Sequence, residues 1–402
     1  MELRRLQVLI YMGWTHSLNH GLFTAITPLI PMIVSEGYDY LSIGLFLSIY
    51  LLLYSFGALL STPILRRMED RKILFASLML QGSSTLFLLM PGLTGLGLFI
   101  LFSGVFASLY HPVSNIFIFN RFRKNVNFAM GLHGTGGNLA QFVFPLMSFL
   151  MAANLGWRSA LILTGFMVSL SSIPYLATPR VEKNVFETPD VIRGFIKVVS
   201  QRSLLLLICF SLLFGLYYRG IEVFLPTYLN SEKGFSGEAG SAALSILLLA
   251  GALGQYLGGL VGDRFNEQTV LLSASVLELL SLILLQTASG SILVMLSTAL
   301  LGLGFYCHQP AANSLLGKKS AEELRTYSYS IWFFLGFISS SPSTVAVSLI
   351  GQEFGFAAAM FFSNIMVLIP LALAIYIYHD SKHASIETRA RRDFLKDFAK
   401  LI

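Results

Sequence analysis

Twelve long apolar runs, spaced almost evenly along the chain, restrict its possible folds more than any other feature. A helix that crosses about 30 Å of hydrocarbon needs around 20 mostly apolar residues. Runs of that kind lie at approximately 8–35, 41–65, 73–92, 94–118, 127–152, 158–178, 204–230, 237–262, 269–288, 291–316, 327–350 and 357–378. In a chain of 402 residues they leave no room for a soluble catalytic domain. The runs predict an all-α polytopic membrane protein with twelve transmembrane helices.

The composition agrees with this fold class. Hydrophobic residues make up 55% of the chain and charged residues 12%, whereas a soluble domain carries about a quarter charged residues. So much apolar material, with only two cysteines, excludes disorder, collagen and a disulfide scaffold. Cys209 and Cys307 lie inside apolar runs and suit neither a zinc site nor a secreted framework.

The positions of Lys and Arg predict the orientation, because cytoplasmic loops are enriched in both residues. If the N-terminus is cytoplasmic, 24 of the 27 cations fall on the cytoplasmic side. Arg158 and Lys233 then lie outside, and Arg219 lies within a span. We therefore expect both termini in the cytoplasm. The net charge of +6 is explained by topology, so no nucleic-acid partner is expected.

The chain reads as two related halves. The charged segment 179–203 follows six spans and predicts a cytoplasmic linker between six-helix bundles at 1–178 and 204–378, with a basic cytoplasmic tail at 379–402. Similar patterns recur in the two halves: His20-Gly21 and Arg219-Gly220, Pro28 and Pro226, Gly104 and Gly302, and Pro112-x-x-Asn115 and Pro310-x-x-Asn313. Duplicated halves with a substrate site between them are a transporter architecture.

One loop motif resembles a known family. Gly259-Leu-Val-Gly-Asp263-Arg264, at the end of span 8, is similar to the Gly-x-x-x-Asp-Arg motif of the major facilitator superfamily. The resemblance implies a gating role for Gly259, Asp263 and Arg264. In the first-half copy Arg66 stands where the aspartate is expected, so the usual gating ion pair is absent there unless Glu69 or Asp70 substitutes. Leu155-Gly156-Trp157-Arg158 is also typical of the superfamily.

Two further stretches resemble the fosmidomycin-resistance-type exporters within that superfamily. They are Tyr110-His111-Pro112 in span 4 and His133-Gly134-Thr-Gly136-Gly137-Asn138-Leu-Ala-Gln141 in span 5. The resemblance implies proton-driven export of a small molecule across the cell inner membrane by alternating access. It also implies a monomer that needs no cofactor.

Polar residues inside the spans indicate where a substrate would bind, because ionisable groups at membrane depth are costly and usually face a cavity. Five of the seven histidines lie in spans. The predicted substrate-binding residues are His16, Asn19, His20, His111, Asn115, His133, Asn138, Gln141, Tyr218, Arg219, His308, Gln309, Asn313 and Trp332. His16, Asn19 and His20 fall on one helix face by their spacing.

Arg219 and Glu222 lie one turn apart in span 7 and are predicted to serve proton coupling. In that interpretation Arg219 attracts an anionic substrate group and Glu222 exchanges a proton. The competing interpretation is a permanent structural ion pair, since a lone arginine in hydrocarbon requires a partner. For the substrate, an anion such as a phosphonate or organic acid competes with a drug in a broad hydrophobic pocket.

No metal site is predicted, because His16 and His20 lack a carboxylate on the same helix. Proton-coupled uptake of an organic anion or metabolite, and transport of a transition metal or metal chelate by the intramembrane histidines, remain alternatives. Glu278, in span 9, is expected to have a structural or interfacial role.

Three function classes compete for such a chain. A membrane enzyme is disfavoured because the sequence has no helix-borne metal triad, no Gly-x-Ser-x-Gly elbow and no Walker motif. A receptor or scaffold on a transporter fold is disfavoured by the intact Asp263-Arg264 motif and the linked Arg219 and Glu222. A secondary transporter, not an enzyme, is the predicted class.

Overall fold

The computed structural model describes residues 3–122, 129, 133, 136–137, 141–179, 191–321 and 324–399. Within those ranges all regular secondary structure is helical, which confirms the all-α fold class. Ten helical segments there are long and apolar enough to cross a membrane. Predicted spans 4 and 5 overlap the shorter apolar helices Gly92–Ala107 and Val143–Leu155.

The described helices of the first half run from the N-terminus to residue 170. They are α1 (Leu3–Thr24), α2 (Ile30–Ser35), α3 (Tyr40–Arg67), α4 (Asp70–Ser83), α5 (Gly92–Ala107), α6 (Tyr110–Arg121), α7 (Val143–Leu155) and α8 (Trp157–Leu170). Short 3-10 segments follow α1, α4 and α8 at Thr27–Leu29, Ser84–Leu89 and Ile173–Ala177. The first predicted span is thus two helices joined by a 3-10 turn at Pro28, because proline lacks the N–H that a continuous helix needs.

The second half consists of longer helices. They are α9 (Val191–Val199), α10 (Arg202–Lys233), α11 (Gly237–Arg264), α12 (Glu267–Thr287), α13 (Ser291–Lys319), α14 (Arg325–Phe354) and α15 (Phe356–Ala399). Helix α13 passes through Pro310 without a break. At the matching place in the first half, α5 and α6 are separate helices: they are interrupted at Ser108 and Leu109, just before Pro112, although both residues keep right-handed helical dihedrals.

The predicted linker and tail are both partly helical. The predicted linker 179–203 contains α9, which contributes the buried Val198 to the core of the second half. The predicted tail after residue 378 begins inside α15, which continues to Ala399. Alanine, glutamate, arginine and lysine are strong helix formers, so this charged segment extends the last helix beyond its apolar part.

The two halves meet along a seam between α3 and α14, which we call the serine seam. Leu41 N–H donates to Gln352 Oε1 over 3.0 Å at one end of it. Further along, the hydroxyls of Ser48 and Ser341 lie 2.6 Å apart. Gly44 allows the close approach, since a Cβ there would lie 2.0 Å from the hydroxyl of Ser348. Small residues and hydroxyls therefore hold the halves together along this line.

The glycine-tryptophan-arginine motif forms a corner between α7 and α8. Gly156 turns the chain with φ of 79°, a conformation that favours glycine. The next two side chains bind one carboxylate: Trp157 Nε1–H donates to Glu36 Oε1 over 2.8 Å, and Arg158 donates to Glu36 Oε2 over 2.7 Å.

A related corner joins α14 and α15 in the second half. Gly355 turns with φ of 85°, and the Phe356 N–H donates to Glu232 Oε1 over 2.9 Å. Each half therefore ties its last hairpin to the end of its first span through a glutamate. The structural function of the glycine-tryptophan-arginine motif is therefore to fix the corner between α7 and α8.

Candidate functional site

Four histidines of the first half converge on one place, which we call the histidine cluster: His16 and His20 on α1, His111 on α6, and His133. The ring of His16 stacks on that of His133, with 4.3 Å between centroids, and lies 4.7 Å from that of His111. The Nε2 atoms of His20 and His111 are 3.0 Å apart. Because His16 and His20 are four residues apart, they share a helix face and reach the same partners.

His133 has a partner for each ring nitrogen. Its Nδ1 lies 3.2 Å from the carbonyl oxygen of Met12, and its Nε2 lies 3.3 Å from the hydroxyl of Ser114. Its own backbone carbonyl accepts a hydrogen bond from Nδ1 of His16 over 2.9 Å. His133 therefore positions His16 and joins α1 to α6, and its ring has no free nitrogen for a ligand.

His20 and His111 are the less buried members of the cluster. Neutral imidazole has one donor and one acceptor nitrogen, so one of the two Nε2 atoms donates to the other. The ring of Tyr54, from α3, flanks both histidines, with centroid distances of 6.4 Å and 5.7 Å. On its other side Tyr54 meets Phe337 of α14 at 5.3 Å. The cluster thus lies next to the junction of the two halves.

Asn19, which lies between the two histidines in sequence, has polar partners on α3 and α4, and its Oδ1 accepts a hydrogen bond from the Tyr54 hydroxyl over 3.3 Å. Its amide donates to Gln81 Oε1 over 2.9 Å, and Gln81 Nε2 donates back to the Asn19 carbonyl over 2.9 Å. Asn19 has no exposed surface. This exchange fastens α1 to α4, so the structure gives Asn19 a packing contact. Gln81 is a polar partner that the sequence analysis did not single out.

Arg219 and Glu222 form an ion pair on α10. Nη1 of Arg219 donates to Glu222 Oε1 over 2.6 Å, and Nη2 donates to the hydroxyl of Tyr218 over 2.5 Å. The hydroxyl of Tyr306, on α13, donates to the other Glu222 oxygen over 3.2 Å. Glu222 is only 1% exposed. A carboxylate so deeply buried requires partners for both of its oxygens, and Arg219 and Tyr306 supply them.

The guanidinium of Arg219 also faces the first half. Its Cζ lies 5.8 Å from the ring centroid of Phe23, beyond the histidines on α1. Phe23 contacts Tyr50 at 4.7 Å, and Tyr50 stacks with Tyr54 at 5.9 Å. A continuous row of aromatic rings therefore links the ion pair of one half to the histidine cluster of the other. The two polar groups border a shared region between the halves.

The second-half counterparts of the histidine cluster lie elsewhere. His308 is 2% exposed and packs against the rings of Phe210 and Phe214, at 5.4 Å and 4.2 Å. Gln309 Oε1 accepts a hydrogen bond from Gln255 over 2.8 Å, which ties α11 to α13. Trp332 is 7% exposed in the apolar core of the second half.

The remaining predicted contacts are more varied. Asn313 is half-buried on α13. Gln141 donates to the carbonyl of Gly137, four residues earlier, over 3.3 Å. Asn138 lies outside the described residues, as does the side chain of Asn115.

Glu278 is a buried carboxylate that the sequence analysis placed in a structural or interfacial role. It accepts a short hydrogen bond from the Tyr217 hydroxyl, and its Oε1 lies 3.5 Å from His308 Nδ1. Gly304 provides the space, since a Cβ there would lie 2.8 Å from Glu278 Cγ. In the sequence, this contact could have been suspected from two features: Glu278 is a charged residue in an apolar run, and the next span contains a Gly-x-Gly pattern.

The loop motif that carries the family resemblance lies at the end of α11. The helix continues to Arg264, and the side chains of Asp263 and Arg264 lie outside the described part. Gly259 has open space, since a Cβ there would come no closer than 4.0 Å to Pro310.

In the first-half copy the candidate substitutes for the missing aspartate are both paired. Asp70 Oδ2 binds Arg121 Nη1 at 2.6 Å, and Glu69 binds Arg71 at 2.7 Å. Asp70 thus joins the start of α4 to the end of α6, and Arg121 also donates to the carbonyl of Pro179 over 2.9 Å.

Comparison with known proteins agrees with this architecture. The chain is 26% identical over 299 residues to an uncharacterized transporter of Buchnera aphidicola subsp. Schizaphis graminum (strain Sg), with 70% of each chain covered. It is 24% identical over 302 residues to a second uncharacterized transporter, from the Acyrthosiphon pisum subspecies of Buchnera aphidicola (strain APS), again with 70% of each chain covered.

Among solved structures the chain resembles a bacterial homolog of the human lysosomal transporter Spinster, in an inward-facing and unoccupied conformation. The TM-score is 0.82 at 14% identity, covering 94% of this chain and 98% of that one. A variant of the nucleoside transporter NupG gives a TM-score of 0.79 at 14% identity, covering 92% and 98%. These likenesses show the fold. The Major Facilitator Superfamily profile matches residues 12–344 and 237–401, and the chain therefore belongs to this superfamily of membrane transporters.

Proposed function

We propose that the chain is a secondary active transporter that moves a small anionic or drug-like molecule by alternating access, with protons as the coupling ion. The observation that carries the proposal is the Arg219–Glu222 pair, buried at the junction of the halves and facing Phe23 across it. Arg219 would attract an anionic group of the substrate. Glu222 would take up a proton when the substrate competes for the guanidinium.

The direction and location follow from the sequence. The motifs around His111 and His133 are similar to those of the fosmidomycin-resistance-type exporters, which favours export. The asymmetry of Lys and Arg favours cytoplasmic termini, and we place the protein in the cell inner membrane as a monomer.

The experiment that tests the coupling is transport by reconstituted protein with Glu222→Gln. Without an ionisable group at this position, flux driven by a proton gradient should fall to background. Exchange of labelled for unlabelled substrate across the membrane should persist, because it needs no net proton movement. Substrate candidates come from a thermal-shift screen of phosphonates, organic acids and lipophilic cations, since a ligand that binds only the folded state raises its melting temperature.

Glu353→Gln is the matched control, because it makes the same substitution at an exposed glutamate near the end of α14. It should transport as the unmodified protein does. Equal loss of gradient-driven flux and exchange in Glu222→Gln would assign Glu222 to substrate binding or structure. If Arg219→Ala leaves transport of an anion unchanged, the substrate is not recognised through its charge.

A further inference from the structure

We propose that His16, His20 and His111 form a binding site for a divalent transition-metal ion of the zinc class. We further propose that the transporter carries this ion, bare or bound to a small anion. The cargo part of the inference rests on the proposed transport function, whereas the binding part does not.

The first argument is convergence. A ring nitrogen from each of the three histidines lies within 4.8 Å of those from the other two. Zinc–nitrogen distances of about 2.0–2.1 Å in a tetrahedral site place ligand nitrogens about 3.3 Å apart. His20 and His111 are already close to that spacing, at 3.0 Å between their Nε2 atoms. His16 would have to move toward the other two rings while it keeps its hydrogen bond to the His133 carbonyl.

The second argument is an unpartnered nitrogen. Nε2 of His16 is buried and has no hydrogen-bond partner among the described residues, and the side chain is only 8% exposed. Buried polar atoms without a partner are rare in native proteins, because burial removes the hydrogen bond that water would supply. A metal ion would satisfy this nitrogen.

The third argument concerns which ring nitrogen of His16 carries the proton. Nδ1 of His16 must donate to the His133 carbonyl, since a carbonyl oxygen only accepts. In the neutral ring Nε2 therefore offers a lone pair, as a metal ligand must. A histidine ligand that donates its second N–H to a backbone carbonyl is a recurrent arrangement in metal sites, where it fixes the orientation of the ring.

The pair formed by His20 and His111 fits the same conclusion. Between two Nε2 atoms at 3.0 Å one proton is shared. A divalent ion would be held by the lone pairs of both Nε2 atoms once the donor ring adopts its other neutral tautomer, in which the proton has moved from Nε2 to Nδ1 of the same ring. Three imidazoles favour zinc, copper, nickel or iron over calcium and magnesium, which prefer oxygen ligands. A position left open on the ion is where an anionic chelator would bind, and Arg219 faces the same region.

The test measures zinc binding to the full chain, purified through a tag without histidine and incorporated in nanodiscs. We expect one Zn²⁺ per protein. The double variant His20→Gln/His111→Gln should lose at least about 100-fold in affinity, since even outer-shell changes cost 10–100-fold. His379→Gln, which removes an exposed histidine of α15, is the matched control and should bind as the unmodified protein does.

A second measurement needs no variant. X-ray absorption of the zinc-loaded protein should show nitrogen neighbours at about 2.0–2.1 Å, whereas binding to Cys307 or Cys209 would show sulfur at about 2.3 Å. Failure of the folded, unmodified protein to bind Zn²⁺, a sulfur shell, or equal affinity in the double variant would each overturn the site. Glu222→Gln should still bind Zn²⁺, so loss of proton coupling and loss of metal binding are separable outcomes.

The cargo is tested with radioactive zinc in proteoliposomes, supplied either as the free ion or as its citrate complex. Flux of the free ion identifies a metal carrier. Flux of the complex alone, lost in Arg219→Ala, identifies a carrier of metal–anion complexes. If the site binds zinc but neither form crosses the membrane, the metal is not the cargo.

Discussion

At the scale of single residues, Glu278 shows how a bundle of apolar helices accommodates a carboxylate. The side chain is 1% exposed, yet Tyr217 donates to one oxygen and His308 faces the other. Each partner comes from a different helix, so the group joins α10, α12 and α13. Such a cluster favours one arrangement of these helices, because a shift between them would break the hydrogen bond from Tyr217 inside an apolar bundle.

Glu278→Ala should therefore destabilise the protein. The substitution removes the acceptor of the Tyr217 hydroxyl, and an unsatisfied buried group costs about 1–3 kcal/mol. Thermal unfolding in detergent should show a lower melting temperature than in Glu353→Ala, which changes an exposed glutamate near the end of α14. Equal melting temperatures would mean that the Glu278 cluster contributes nothing to stability.

At the scale of helices, the serine seam sets how closely the halves approach. Gly44 faces Ser348 so tightly that a Cβ would also lie 2.5 Å from the Ser348 Cβ. The threonine hydroxyl of Thr344 donates to the Gly44 carbonyl over 3.3 Å, and Ser55 donates to the carbonyl of Phe334 over 3.0 Å. The approach depends on the absence of side-chain bulk at Gly44.

Gly44→Leu should push the seam apart and reduce the population of the state described here. The distance is monitored by disulfide formation in Ser48→Cys/Ser341→Cys, with Cys209 and Cys307 replaced by serine. Since the two hydroxyls lie 2.6 Å apart, the pair should cross-link readily, and Gly44→Leu should slow the reaction about tenfold, which corresponds to a 1.4 kcal/mol shift in the equilibrium.

The control variant enlarges the side chain at the next position in the sequence. Leu45 is 43% exposed on the next face of α3, so Leu45→Phe should leave the cross-linking rate unchanged. An unaffected rate in Gly44→Leu would show that the seam is not closely packed.

At the scale of the whole molecule, a labelling experiment tests the orientation of the chain in the membrane. Ser289 and Ala321 are exposed residues at opposite ends of α13. With cytoplasmic termini, Ser289→Cys lies outside and Ala321→Cys lies inside. In a background without Cys209 and Cys307, a membrane-impermeant thiol reagent should label the first variant in intact cells and the second only after the membrane is opened. The reverse pattern would invert the topology.

The sequence predicted the fold more completely than it predicted the contacts of the site. Apolar runs and repeated motifs identify spans and halves because each run must cover about 30 Å of hydrocarbon. Spacing also placed His16 and His20 on one face. It could not show that Asn19, between them, turns toward Gln81, because that contact depends on how α4 packs.

The contacts of Glu278 could not be predicted from the sequence for a related reason. A helix that is peripheral in the fold can still direct one side chain inward, and the space at Gly304 becomes visible only once α12 and α13 are packed. The pairing of Asp70 with Arg121 is similar, since nothing in the spacing of two distant residues predicts that their helix ends meet. Contacts within one helix follow from sequence, whereas contacts between helices require the fold.

The serine seam has a consequence for what happens when the halves part. If leucine lined these surfaces, their separation would create an apolar cleft that lipid tails could fill. Ser48, Ser341 and Ser348 instead present hydroxyls that water can solvate. Each hydrogen bond lost across the seam can be replaced by one to water at little net cost. Opening would therefore create a water-filled vestibule. A hydrated ion or a polar solute would reach the interior through it without entering the hydrocarbon of the bilayer.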